Sequence, residues 1–196
     1  MPSKQEIYFP YFNNTEKKII YSALEEAAEY LREFYCFSPR EWFNYCYDVK
    51  TELDTNIDRK SLKNANAFAE VRKYTPILKN LSVFPEERYQ ICLFDHNILS
   101  ALWRQPDLEF YPFMIYILTH ELIHIARFCL KFHPFECDAE SLQKEEQRVN
   151  RLTEQVLNVR KYKSFEKISC IYQKIISPTS ISPNDFIVKK KFFQHW

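Results

Sequence analysis

A mainly helical α+β fold, one domain of packed helices with a small sheet edge beside its central helix, is what three observations on this chain predict. Glycine is absent from the 196 residues, so turns that need a positive φ must fall on Asn or Asp, and a strand-rich fold is hard to build. Apolar residues recur at helical spacing through most of the chain, and a single short run is rich in β-branched and aromatic residues. Hydrophobic residues make up 46% and aromatics 17%, enough core for one well-filled domain and too little chain for a comfortable second. The domain is placed at 1–183, followed by an aromatic, basic tail at 184–196.

The first helix is expected from about Glu16 to Tyr35, where Ile20, Leu24, Ala27, Leu31 and Phe34 share one face behind the N-terminal signal Asn13. "SPRE" then offers Ser38 as cap, Pro39 at the first helical position and Glu41 closing the box, so "REWFNYCYDVKTEL" reads as a second helix. "SLKNANAFAEVRKY" is a third candidate helix. "RYQICLFD", Arg88 to Asp95, is the best strand in the chain, and Asp95 can cap a helix in "HNILSALWR". "QPD" breaks that helix and opens the long apolar stretch "FMIYILTHELIHIARF", which Pro134 should end. "SLQKEEQRVNRLTEQVLNVRKY" is amphipathic, with Leu142, Val149, Leu152, Val156 and Val159 inward. A last helix is expected from Ser164 to Ile176, then a Pro/Ser-rich linker and the tail "FIVKKKFFQHW".

Several function classes are disfavoured at this level. With 27 basic and 26 acidic side chains the net charge is +1, which gives no reason to expect nucleic acid. No P-loop or dinucleotide fingerprint can form in its usual form without glycine. No uninterrupted run of about eighteen apolar residues predicts a membrane span, and "MPSKQEIYFP" does not resemble a secretory leader. A cytoplasmic protein is therefore expected. The six cysteines lie singly, with no CxxC pair, and reduced, buried thiols are the expectation.

The long apolar stretch nevertheless carries His120, Glu121, His124 and Arg127. Four residues apart, His120 and His124 stand one turn apart on one helix face, where two imidazoles can hold a tetrahedral zinc ion from two corners. Glu121 lies beside them, near enough to reach a water on that metal. This is the HExxH pattern of zinc metalloproteases, with the glutamate as general base. Burying two imidazoles and a carboxylate without partners costs several kcal/mol, roughly 2–7 per group, and a metal relieves that cost.

A catalytic zinc needs a third protein ligand. The positions of a metzincin third histidine and glycine hold Leu130 and Arg127, and His133 points to the opposite helix face beside Pro134. On the following helix Glu146 stands on the Leu142 side of the inward stripe, which favours it over its rival Glu145; Glu136 and Glu140 are further acids in reach. Here the sequence resembles the gluzincin class, in which a glutamate on the next helix completes the site. The stretch "EEQRVNRLTEQVL" is also similar to the E-x-x-A-N-x-F-A-x-x-L-L pattern of regulatory metallopeptidases of the ImmA/IrrE type. Matched so, Glu146 takes the ligand place and Asn150 the polar place that supports a ligand histidine from behind. Val149, Leu152 and Thr153 depart from the pattern, and the likeness covers about Asp95 to Leu157.

The resemblance implies a zinc-dependent peptidase acting on an intracellular protein or peptide. Zinc held by His120, His124 and Glu146 would activate a water, and Glu121 would take its proton and deliver it to the leaving amine. It implies too that an edge strand before the active helix (Tyr89, Gln90, Ile91, Cys92, Leu93 and Phe94) would bind the substrate by strand addition. The tail from Phe186 to Trp196 either folds into the cleft or packs on the surface or on a second copy of the chain. A second functional class is a helical interaction protein with a structural or degenerate zinc site, suggested by 13 Tyr and 17 Phe.

Overall fold

Asn13 starts the first helix as its sequence requires. Its Oδ1 accepts from the amides of Thr15 and Glu16 at 2.8 and 2.9 Å, while Glu16 Oε2 accepts from the Asn13 amide at 2.7 Å, a complete capping box. In this computed structural model, residues 11–43, 47–55, 66–74, 88–158, 162 and 164–176 are described. Helix α1 spans Asn14–Tyr35 and buries Ile20, Ala23, Ala27 and Leu31. The short helix α2 (Pro39–Phe43) begins at Ser38, whose Oγ accepts from the Glu41 amide at 3.2 Å while Glu41 Oε2 accepts from the Ser38 amide at 2.8 Å.

Beyond α2 the expected second helix does not continue. Tyr47–Thr51 forms strand β1, followed by one turn of helix, α3 (Glu52–Thr55). Burial alternates along β1, with Tyr47, Val49 and Thr51 on the more buried side, the period-two pattern of a half-covered strand. The third expected helix is likewise corrected: Ala69–Tyr74 is strand β2, and 61–65 lie outside the described residues. In both places β-branched residues meet a partner strand, and that pairing outweighs local helical preference.

The partner is strand β3 (Arg88–Leu93), which pairs in parallel with β1 (Val49 opposite Ile91) and antiparallel with β2 (Val71 opposite Ile91). The order β1-β3-β2 makes β3 the central strand. The expectation of a substrate-binding edge at Tyr89–Leu93 is thus overturned: both hydrogen-bonding edges of β3 are used inside the sheet, and its register leaves no free ladder for an added strand. Phe94, just past the strand, spends its amide on the Phe68 carbonyl at 2.8 Å.

Helix α4 (Asp95–Arg104) starts without the expected cap from Asp95. That carboxylate is used elsewhere, accepting from the Phe12 amide through Oδ2 and from the Glu52 amide through Oδ1, each at 3.1 Å. Glu52 Oε2 in turn accepts from the His96 amide at 3.0 Å. Two acids thus tie the N-terminal segment, α3 and α4 together at one corner of the sheet, each serving the other's helix start.

Helix α5 (Phe110–Cys129) is the centre of the molecule. Every residue from Pro112 to Arg127 is buried, as expected of a helix that is apolar nearly all round, and it packs on α1, β2, α6 and α7. It stops at Cys129, short of Pro134. Its end repeats the end of α1: Lys131 (φ 59°) and Cys36 (φ 54°) are left-handed, with Phe132 N donating to Arg127 O and Phe37 N to Arg32 O, both at 2.9 Å. These are Schellman closures built without glycine. Neither position is the expected Asn or Asp, so each carries roughly 1 kcal/mol of steric cost. Helix α6 (Ala139–Asn158) follows, capped by Asp138 through Ser141, and α7 is Phe165–Ile176.

On α6 Val149, Val156 and Leu157 are buried, while Leu142 and Leu152 are half-buried and Val159 lies outside the described residues. So does the tail at 184–196. Among the described cysteines all thiols are free, yet only Cys92 is buried; Cys36 and Cys170 are exposed, against the expectation of burial. No helix among the described residues is long and apolar enough to cross a membrane.

Candidate metal centre

Helix geometry places His120 and His124 on the face of α5 that meets α6, and both are buried, at 1% and 6% exposure. Their Nε2 atoms lie 3.2 Å apart. Across from them Glu146 sets Oε2 at 3.5 Å from His120 Nε2 and Oε1 at 3.3 Å from His124 Nε2. Donors held at about 2 Å by one tetrahedral ion stand about 3.3 Å apart, so the spacing of these atoms fits three corners of a tetrahedron. Two imidazoles and a carboxylate could hold a metal ion here.

The electrostatics follow from that crowding. Burial opposes the charge on His124, but the adjacent Glu146 carboxylate outweighs it and raises the imidazole to about 8. Burial likewise opposes the charge on Glu146, and the two imidazoles override it, holding the carboxyl well below the usual range. A metal cation in the same position would take over the role the imidazole proton fills.

Glu121, one position after His120, is 4% exposed. Burial pushes its carboxyl above the ordinary value, and the imidazoles pull it only partly back. Its Oε1 accepts a hydrogen bond from the Tyr172 hydroxyl at 3.2 Å. The Tyr172 ring, on α7, also packs against His120 with centroids 4.7 Å apart. Strand β3 lies within electrostatic reach of Glu121: burial, with Arg72 opposing and the charges of Glu70 and Glu121 adding, pushes the Cys92 thiol up to about 12. The small sheet therefore stands beside the Glu121 end of the site.

Asn150 does not support a ligand histidine as the resemblance implied, for its Oδ1 is buried without a hydrogen-bond partner among the described residues. The group behind His120 is Thr153, one of the departures from the family pattern. Its Oγ1 lies 3.5 Å from His120 Nδ1 and donates to the Val149 carbonyl at 2.8 Å. With its own proton used, Thr153 Oγ1 can accept from Nδ1–H, the tautomer that would free the Nε2 lone pair for a metal ion.

The rival Glu145 points elsewhere. Buried at 4% exposure, it accepts from Arg127 Nε through Oε1 and from Nη2 through Oε2 at 2.9 Å. Glu136 and Glu140 are exposed, and Glu140 pairs with Lys144 on the surface. His133 lies apart from the group, its ring centroid 6.4 Å from that of Phe128. The sequence reading missed Tyr172, although Phe165, Ile168 and Tyr172 form the buried stripe of α7 and that spacing pointed it inward. Arg127 carried a signal too: three residues past His124, it lies one turn on along the same face and needs an acid on the facing helix.

Comparison with protein-family models, with curated proteins and with solved structures finds no match to this chain. The likeness to zincins rests on the HELIH motif and the residues that meet it.

Proposed function

We propose that the chain is a zinc-dependent peptidase of the HExxH type. The observation that carries this reading is the meeting of His120 Nε2, His124 Nε2 and the Glu146 carboxylate at spacings a tetrahedral ion fits, beside a buried glutamate with a raised pKa. When bound, zinc supplies Lewis-acid polarisation of a carbonyl oxygen and activation of a water molecule. Glu121 is the base: Tyr172 holds Oε1 in place, and Oε2, without a donor among the described residues, accepts the proton and passes it to the leaving amine. Apolar neighbours on α5 keep bulk water away and strengthen each of these interactions.

The test is metal content together with Glu121→Gln. About one zinc per chain in both proteins, with peptide hydrolysis falling about a hundredfold or more in the variant, is the expected result. Equal turnover in the two, or purified protein that takes up no metal, would sink the proposal.

A second reading draws on the closure of the site, where His120, Glu121, His124 and Tyr172 are all nearly inaccessible. On this reading the metal is structural and the chain is a helical interaction protein. It expects Glu121→Gln to change neither metal content nor partner binding.

A further inference from the structure

We infer that the cleft between α6 and the 130–138 connection is a binding site for an acidic peptide segment. The cleft has a volume of about 770 Å³, and its lining includes Arg127, Lys144, Arg148, Arg151 and Phe132, with Glu145 as the sole acid. Lys144, Arg148 and Arg151 recur at helical spacing, so they form one stripe of α6 facing the cleft. The single acid does not neutralise them, because both its oxygens are taken by Arg127. Arg127 is 6% exposed and keeps Nη1 without a partner among the described residues.

The remaining cations differ in how far they are engaged. Arg148 has no ion pair or hydrogen bond among the described residues, and Arg151 uses only Nε, on the Gln147 carbonyl at 3.2 Å. Lys144 is tied to Glu140 with side chains 72% and 76% exposed, a pair that a competing anion displaces easily. Guanidinium forks match carboxylates two bonds at a time. Phe132, 60% exposed and with the Arg127 guanidinium 5.8 Å from its ring centroid, adds apolar surface for the stems of acidic side chains. The volume exceeds what a single inorganic anion fills. A net charge of +1 provides no broad field for a nucleic-acid backbone. Together these favour a peptide carrying carboxylates.

The cleft adjoins the metal centre, since Arg127 is one turn past His124 and Glu145 is next to Glu146. An acidic segment held there would lie about one helical turn from His124, and on the peptidase reading it would give the enzyme a preference for acidic substrates. That extension rests on the proposed peptidase activity, whereas binding itself does not.

The experiment measures fluorescence anisotropy of a labelled glutamate-rich peptide, its glutamine counterpart and a single-stranded oligonucleotide of matched charge. Each is titrated with the full chain and with Arg148→Glu/Arg151→Glu, whose metal content and thermal unfolding are checked alongside. The acidic peptide should bind about tenfold more tightly than the glutamine peptide, and lose about tenfold in the double variant. Equal binding of the glutamine peptide, unchanged affinity in the variant, or tighter binding of the oligonucleotide would each overturn the inference. Cleavage is scored separately in the same samples, so binding without hydrolysis retains the cleft and rejects the peptidase.

Discussion

Thr153 and Asn150 stand one turn apart on α6, and only the first has its hydroxyl near His120 Nδ1. Thr153→Val keeps the shape and removes the acceptor, so metal affinity should fall about tenfold, while Asn150→Ala should leave it within about twofold. Isothermal titration with zinc separates the two, and the opposite ranking would mean that His120 is oriented by another group. Arg127 and Glu145 present a different residue-scale case. Both are buried, and removing either leaves the other an uncompensated charge. Glu145→Gln and Arg127→Met should each cost about 3 kcal/mol by urea unfolding, and the double variant should cost well below their sum. Additive losses would show the pair to be uncoupled. In the sequence the two imidazoles could be read because helix geometry forces them together. Which glutamate joins them could not be settled by phasing, because neighbours on a helix differ by only about 100° and the choice depended on where Arg127 needed a partner.

At the scale of elements, α1, α5, α6 and α7 were legible, since an apolar stripe of 12 residues or more speaks for itself. The strands β1 and β2 were not. Tyr47, Val49 and Thr51 do alternate, but five residues fit a helix face as well as a pleat, and the deciding contact comes from β3, some forty positions on. The ends of α1 and α7 fell where the sequence placed them, at Tyr35 and Ile176, but the residue type at the left-handed positions was misjudged. That position is set by where the helix stops packing, and it fell on Cys36 and Lys131 rather than on Asn or Asp. Lys131→Gly relieves the steric cost at the end of α5 at the expense of a freer unfolded chain, so a net gain of a few tenths to about 1 kcal/mol is expected. A lowered thermal midpoint in that variant would show that the lysine stem stabilises the turn by packing.

For the molecule as a whole, the candidate metal group should couple stability to pH with a sign that depends on whether an ion is bound. In the metal-free protein His124 is raised from 6.5 to about 8. Its contribution is therefore complete below about pH 6.5 and lost as pH rises through 8. A metal needs the neutral imidazole, so the stabilisation it adds grows across the same window. Thermal midpoints measured with zinc and with chelator should diverge from pH 6 to about pH 8.5; parallel curves would mean that His124 does not ligate. The corner where Asp95 holds the Phe12 and Glu52 amides has a consequence for the order of folding. Phe12 and Asp95 are 83 positions apart, and Glu52 and Asp95 are 43 apart, whereas the metal group closes a hairpin between consecutive helices. Loop closure favours the nearer contact, so the α5–α6 hairpin with its candidate metal group is expected to assemble before the sheet corner closes; φ-values near zero for substitutions on α5 and α6, with high ones at the corner, would reverse that order.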